Sequence, residues 1–267
     1  MTRSSSANLQ PIPRQTVFIT GASSGIGAAM AAHYARAGYV VGLVGRRESK
    51  LTAVMASLPG THLMYPIDVR DRAALHQAAI DFMQQTGGAV DVVIANAGVS
   101  AGTLTEATED FDVFKEIFDI NVLAMVATFE PFIPAMTALG AGKLVGIASV
   151  AGVRGLPGAG AYSASKAAVA TYCEALRLEM APKGVSVVTI APGYVKSEMT
   201  DINTYAMPFL LPADVFAKRA AQAIDARVRY AVIPWQMSWV ARFMRLLPPW
   251  LYDRLAMNAP RKKRRVG

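Results

Sequence analysis

Cysteine and histidine are scarce in this chain, and their scarcity excludes two kinds of site. Cys173 is the one cysteine, so a disulfide within the chain and a zinc site built on cysteines are both excluded. His33, His62 and His76 are scattered without the spacing of metal ligands. We therefore expect no metal site, and we interpret Cys173 as a small core residue.

Long apolar runs are also lacking, although 53% of the residues are hydrophobic. No uninterrupted apolar stretch reaches the roughly 18 residues of a membrane span. The first 14 residues are polar, contain two prolines and lack the apolar centre of a secretory signal, so we interpret residues 1–14 as a disordered lead. These absences predict a cytoplasmic, reducing location.

The domain itself has little net charge. The formal charge is +8, but the run RKKRR at 261–265 supplies five of these charges and leaves +3 for the rest of the chain. This mild excess, with no groove-reading module around the run, does not favour nucleic-acid binding.

Seven short apolar segments, several of them rich in β-branched residues, alternate with helical segments. They cover residues 16–20, 39–44, 62–67, 90–95, 143–148, 185–190 and 230–234. Strands that are apolar throughout are typical of a parallel sheet with helices on both faces. The chain has no internal repeat or long linker, so the sequence predicts one α/β domain over residues 15–234.

A glycine turn follows the first segment. Gly21, Gly25 and Gly27 lie between this strand and a helical stretch, an order that points helix N–H groups at a phosphate. The spacing Gly-x-x-x-Gly-x-Gly differs from the usual dinucleotide fingerprint. With its flanking strand and helix, the turn still indicates a site for a dinucleotide.

No acidic residue follows the second segment, where a carboxylate would bind the 2′-hydroxyl of NAD. Gly45 leaves room there, and Arg46 can pair with a 2′-phosphate. A solvent-exposed Arg46-Arg47 pair at a helix start is the alternative. The position favours NADP(H).

Ser149, Tyr162 and Lys166 form the candidate catalytic group. Ser149 ends the fifth strand, and Tyr162 and Lys166 are four residues apart on an alanine-rich helical stretch, so their side chains share one face. An ammonium one turn away is expected to lower the pKa of the phenol. Ordinary helix surface is the alternative interpretation.

Isolated polar residues follow other strands. Asp68 either caps a helix starting near Arg70 or contacts adenine, and Asn96 opens a sharp turn. Asn121 interrupts an apolar stretch of a helix predicted from about Glu109 to Met136. A buried amide needs partners, so Asn121 either pins a kink or holds a water in a proton relay.

Together these residues resemble the short-chain dehydrogenase/reductase family over roughly residues 14–234. The motifs are TGASSGIG at 20–27, Asp68, NAG at 96–98, Asn121, Ser149, YSASK at 162–166 and Pro192-Gly193. The resemblance implies a single-domain Rossmann fold, a doubly wound parallel sheet of about seven strands, and a homodimer or homotetramer.

The resemblance also implies residue roles. Ser149 would orient the substrate carbonyl, Tyr162 would act as general acid or base, and Lys166 would lower the pKa of Tyr162 and bind the nicotinamide ribose. Asn121 would position a water. The cofactor-binding residues would be Gly21, Ser23, Ser24, Gly25, Ile26, Arg46, Arg47, Asp68, Val69, Asn96, Ala97, Gly98, Tyr162, Lys166, Pro192, Gly193, Val195 and Ser197. Some NADP-using members carry a basic residue inside the glycine turn, where this chain has Ser24.

Two segments bear on the substrate. Residues 196–212 are predicted to form an irregular loop that is rich in Met and Leu. The loop is either a lid over the substrate or packs on the next helix. Residues 235–267 predict an amphipathic helical extension with a basic tail. Three interpretations of this extension compete. It packs over the pocket or against a partner subunit, or it makes peripheral contact with the inner face of a membrane. In the third interpretation, its basic run binds nucleic acid or serves as a nuclear-import signal.

The sequence therefore predicts an NADP(H)-dependent oxidoreductase that interconverts a small-molecule carbonyl and its alcohol. Reduction is the favoured direction in the cell, and the predicted substrate is apolar or lipid-like. An epimerase or dehydratase on the same fold is one alternative. A non-catalytic, membrane-associated dinucleotide-binding protein is the other.

Overall fold

A computed structural model describes residues 15–203, 205–259 and 261–265. The predicted N-terminal lead lies outside these residues. The described chain forms one sheet of seven parallel strands in the order β3-β2-β1-β4-β5-β6-β7. The strands are β1 (Thr16–Thr20), β2 (Val40–Val44), β3 (Leu63–Tyr65), β4 (Val92–Ala95), β5 (Lys143–Ile147), β6 (Ser186–Pro192) and β7 (Tyr230–Ile233). The predicted single-domain, doubly wound Rossmann fold is confirmed.

Eleven α-helices lie in the described part of the chain. They are α1 (Gly25–Arg36), α2 (Glu48–Ala56), α3 (Arg72–Thr86), α4 (Phe111–Phe118), α5 (Ala124–Phe129), α6 (Ile133–Leu139), α7 (Gly160–Met180), α8 (Glu198–Asp201), α9 (Ala213–Asp225), α10 (Gln236–Leu246) and α11 (Pro249–Ala256). Asp71 caps α3 by accepting a hydrogen bond from the Ala74 N–H at 3.0 Å. The interpretation of Asp68 as a cap for this helix is therefore wrong.

The sheet is covered on both faces because successive strand residues point to opposite sides. Phe18 packs on one face with α3, α5 and α7, including the buried Cys173. Ile19 packs on the other face with α1 and α9. The strand order reverses between β1 and β4, which is where α/β sheets of this kind bind ligands.

The single helix predicted from about Glu109 to Met136 is wrong. This stretch contains α4, a π-helical turn over Asp119–Leu123, α5 and α6. The π turn accommodates one extra residue, as such bulges do inside α-helices, and it contains Asn121.

No single helix in the described ranges is long and apolar enough to cross a membrane. Thr108–Phe129 and Ile133–Leu139 meet that test only as a pair bent by 40°.

Candidate active site

A cavity of about 700 Å³ lies at the carboxyl ends of the strands. Every residue predicted to bind cofactor lines it, together with Ser149. Asn121 is the one predicted site residue that does not. The local motifs of the sequence are therefore brought to one place by the parallel sheet, since all its strands end at the same edge.

The glycine turn forms the floor of the cavity beneath the N-terminus of α1. Gly21 has φ +69°, a conformation that disfavours other residues. A Cβ on Gly27 would lie 2.2 Å from the Gly21 carbonyl oxygen, so α1 can approach the turn only because residue 27 has no side chain. The first residues of α1, Gly25 and Ile26, line the cavity, and the N–H groups at a helix N-terminus are suited to a phosphate.

Asn96 holds this turn in place. Its amide donates to the carbonyls of Thr20 and Gly21 at 3.0 and 3.3 Å, and the Thr20 hydroxyl accepts from the Asn96 backbone N–H at 3.1 Å. The side chain of Asn96 is therefore used within the protein, and its predicted contact with a ribose stays a prediction.

Ser149, Tyr162 and Lys166 meet at the centre of the cavity. Ser149 follows β5 and caps a 3₁₀ turn through the Ala151 N–H at 3.1 Å. Tyr162 and Lys166 lie on the first turns of α7, as predicted. Lys166 is buried, its ammonium donates to the Ile147 carbonyl at 2.8 Å, and it lies 5.9 Å from the centre of the Tyr162 ring.

Burial governs the titration of both groups. It lowers the pKa of Lys166 to about 8. The pKa of Tyr162 is raised by burial, with the Ser149 hydroxyl opposing the shift. This direction differs from the fall in pKa expected from the sequence, because desolvation of the phenolate is the largest effect on Tyr162. The lowering effect of Lys166 on this pKa stays a prediction.

Asn121 is fully buried and is hydrogen-bonded to protein groups. Its oxygen accepts from the Val99 N–H at 2.8 Å, and its amide donates to the Val99 carbonyl and the Ser165 hydroxyl, each at 3.0 Å. These bonds pin the π turn to the loop after β4 and to α7. They support the simpler interpretation of Asn121, and its role in a water relay stays a prediction.

Both arginines after β2 flank the cavity. Arg46 lies 3.6 Å from Asp68. Arg47 donates to Ser24 Oγ at 2.9 Å and to Ser23 Oγ at 3.3 Å. Arg47, which precedes α2, therefore places a guanidinium against the serines of the glycine turn.

Asp68 is held by a third arginine. The Arg70 guanidinium and backbone N–H bind its carboxylate, the guanidinium at 2.7 Å, and the pKa of Asp68 is lowered chiefly by that side-chain bond. Asp68 thus stays ionised at the adenine end predicted for the cavity.

The lid interpretation of residues 196–212 is supported in part. Ser197 caps the short helix α8, and Glu198 in that helix pairs with Arg47 at 2.8 Å and with Lys50. Met199 and Pro208 line the cavity, whereas Leu211 packs on the core and Phe209 is exposed. The loop therefore both covers the cavity and packs on the domain.

The C-terminal extension forms the opposite wall. Arg154 donates to the carbonyls of Met244 and Leu247, each at 3.0 Å, and lies 4.1 Å from the centre of the Tyr252 ring. Val240 and Met244 face the cavity, whereas Trp239 is exposed. These contacts agree with the interpretation that the extension packs over the pocket, which stays a prediction.

Sequence reasoning missed one residue of this wall, Lys262. It lines the cavity, and its ammonium lies 5.2 Å from the centre of the Tyr162 ring. Nothing in a polybasic run indicates that one of its lysines turns inward.

Comparisons with known proteins agree with this geometry. The short chain dehydrogenase family profile matches residues 15–206. An uncharacterized oxidoreductase of Myxococcus xanthus is 36% identical over 91% of this chain and 96% of its own. The 3-oxoacyl-[acyl-carrier-protein] reductase FabG of Rickettsia prowazekii is 34% identical over 70% of this chain and 75% of its own. The structure of ElxO with NADP bound shares the fold, with a TM-score of 0.73 at 23% identity over 82% of this chain and 97% of that one. The chain belongs to the short-chain dehydrogenase/reductase family of oxidoreductases.

Proposed function

We propose that this protein is an NADP(H)-dependent oxidoreductase that interconverts a carbonyl and an alcohol, with Tyr162 as general acid and base. The observation that carries the proposal is the meeting of Ser149, Tyr162 and Lys166 in one cavity with the glycine turn. The residues fit a dinucleotide, because the glycine turn and the first residues of α1 line the cavity. Buried Lys166 has three donors, and among the described residues its one acceptor is the Ile147 carbonyl.

Each side chain has a distinct task. The Ser149 hydroxyl holds the carbonyl oxygen, and Tyr162 donates a proton to that oxygen as negative charge develops. Lys166 stabilises the phenolate left behind, and Asn121 fixes the loop and helix around it. A bound nicotinamide would supply or accept the hydride.

The pH dependence should show the reductive direction. Because its pKa is raised, Tyr162 is protonated at neutral pH, which is the form that donates a proton. Reduction should therefore be flat through neutral pH and fall in the alkaline range, whereas alcohol oxidation should rise with pH. Measuring kcat/KM against pH in both directions checks this, and an oxidation rate that reaches its plateau below neutral pH would contradict it.

The cofactor preference rests on Arg46 and Arg47. A 2′-phosphate between them would receive charge-assisted hydrogen bonds, each worth about 1.5–3 kcal/mol. We expect Arg46→Ala and Arg47→Ala each to weaken NADPH binding about tenfold to hundredfold and to leave NADH binding unchanged. Titration of both nucleotides measures this, with Lys50→Ala as the control because Lys50 also pairs with Glu198 but does not line the cavity. Equal affinity of the parent protein for the two nucleotides would refute the preference.

An apolar or lipid-like substrate is favoured by the outer wall. It is formed by apolar side chains of three segments, Leu156, Pro157, Pro208, Met237, Val240 and Met244. The similar Rickettsia prowazekii protein is named as a reductase of 3-oxoacyl chains, which agrees with an apolar substrate that carries a carbonyl.

Two alternatives stand beside this proposal. An epimerase or dehydratase would return the hydride to its substrate, so it would not consume NADPH. A non-catalytic dinucleotide-binding protein has no physical need for Ser149, Tyr162 and Lys166 together. A panel of acyl, steroid and sugar carbonyl compounds, followed by loss of reduced-nicotinamide absorbance, separates the three, and net consumption of NADPH supports the reductase.

The partners are proposed on similar grounds. Exposed Phe111, Leu123 and Leu178 on α4, the π turn and α7 favour a homodimer or homotetramer. The predicted membrane contact receives no support from the basic run, because its arginines 264 and 265 bind acidic residues of this same chain. The cytoplasmic location and the absence of nucleic-acid binding stay predictions.

A further inference from the structure

Residues 261–265, here called the C-terminal strap, cross the substrate side of the cavity. The Gly102 N–H donates to the Lys263 carbonyl at 2.9 Å, and Gly102 forms a parallel bridge with Arg264. The Arg264 guanidinium donates to buried Asp110 at 2.8 Å and to Glu109 at 2.6 Å. The strap is therefore fixed by backbone and side-chain bonds on the far side of Lys262.

The near side of the strap is fixed as well. The side chain of Arg261 packs on Gly158, where a Cβ would lie 3.0 Å from it. Gly158 has φ +70°, so its bare backbone gives the strap room at a position that disfavours a side chain. Lys262, between the two attachments, has its side chain directed into the cavity.

The ammonium of Lys262 has no acidic partner in the part of the chain that the structure describes. It donates to Ser100 Oγ at 2.6 Å and faces the Tyr162 ring, and burial lowers its pKa to about 8. By contrast Arg264 and Arg265 in the same strap each bind carboxylates. A cation set into an apolar wall beside the reacting atoms, and left without a counter-ion, is suited to an anion on a ligand.

We propose that Lys262 is a specificity-determining residue that binds a carboxylate of the substrate, so that apolar-bodied oxo acids are preferred. The inference rests on the proposed function, since the carbonyl must lie at Ser149 and Tyr162. The Lys262 ammonium lies 5.2 Å from the centre of the Tyr162 ring, so a carboxylate bound to it would lie on the same side of the cavity as the proposed proton donor. Val240 and Met244 then contact the apolar body.

Kinetics with an acid and its ester test the proposal. The probes are 2-oxodecanoate and its methyl ester, assayed with the parent protein, Lys262→Met, Lys262→Gln and Lys262→Arg. The parent should favour the acid in kcat/KM by about tenfold to hundredfold, the range of a charge-assisted bond. Lys262→Met and Lys262→Gln should abolish the preference by raising KM for the acid, and Lys262→Arg should retain the preference. Lys262→Gln keeps a polar side chain but removes the charge, so a loss of preference in both variants is due to the charge.

Lys263→Met is the matched control, because it removes the same charge from the next residue, whose side chain is exposed. It should behave as the parent does. The proposal is overturned if the parent reduces the acid and the ester with equal kcat/KM. It is also overturned if Lys262→Met, Lys262→Gln and Lys263→Met all change the acid-to-ester ratio of kcat/KM by the same factor.

Binding of decanoate separates this inference from the proposed function. Calorimetric titration should show decanoate binding that weakens about tenfold or more in Lys262→Met and Lys262→Gln but not in Lys263→Met. If decanoate binds in this way and no carbonyl compound is reduced, the proposed function fails and the anion site stands. If ketones are reduced but the Lys262 substitutions do not change decanoate affinity, the proposed anion site is refuted and the proposed function stands.

Discussion

Tyr162→Phe is expected to lower kcat by about a hundredfold to ten-thousandfold, the usual contribution of a positioned general acid. The phenol lines the cavity beside Ser149 and is protonated at neutral pH, so removing its oxygen removes the proton that the developing alkoxide needs. The ring remains, so the contacts with Lys166 and Lys262 across it persist. NADPH affinity should therefore change little.

The measurement pairs steady-state turnover with NADPH titration of the same preparation. Tyr172→Phe is the control, because it removes a phenol oxygen from the same helix and its ring packs on Phe129 away from the cavity. Turnover by Tyr162→Phe at the rate of this control would refute the assigned proton donor. Loss of NADPH binding would instead show that the phenol is needed to build the cofactor site.

Gly27→Ala is the second change with a large expected effect. The new Cβ would lie 2.2 Å from the Gly21 carbonyl oxygen and 2.7 Å from the Asn96 amide, and backbone cannot yield as a flexible side chain can. Overpacking in a well-packed region commonly costs about 1–3 kcal/mol, and a clash this short with backbone should reach about 3 kcal/mol or more. The melting temperature should fall by roughly 6–12 °C.

Cofactor binding should fall together with stability, because α1 must move away from the turn that receives the phosphates. Thermal unfolding with and without NADPH measures both effects. Gly155→Ala is the matched control, since a Cβ there meets nothing within 4 Å. A Gly27→Ala protein that melts with the parent and binds NADPH equally would show that the close approach is not required.

The sheet and the cofactor floor could be predicted because their signals are local. Each strand is a short apolar run, and the glycine turn directly follows β1 in sequence. Ser149 and Tyr162 were predictable for the same reason, since one ends a strand and the other begins a helix at the sheet edge where all the strands end.

The remainder depends on packing between distant segments. The break around Asn121 is set by bonds to Val99 and Ser165, 22 and 44 residues away. The raised pKa of Tyr162 depends on burial, which helical spacing does not reveal. Lys262 is held at the cavity by its strap, in which Arg264 binds Asp110, 154 residues before Arg264 in the chain.

The strap is synthesised after all the other residues that line the cavity. The glycine turn, Ser149, Tyr162 and Lys166 are all translated before residues 261–265. A nascent chain can therefore complete its dinucleotide floor and its proton donor while the outer wall still lacks Lys262. With the roles proposed above, the catalytic residues are therefore synthesised before the residue that selects the substrate.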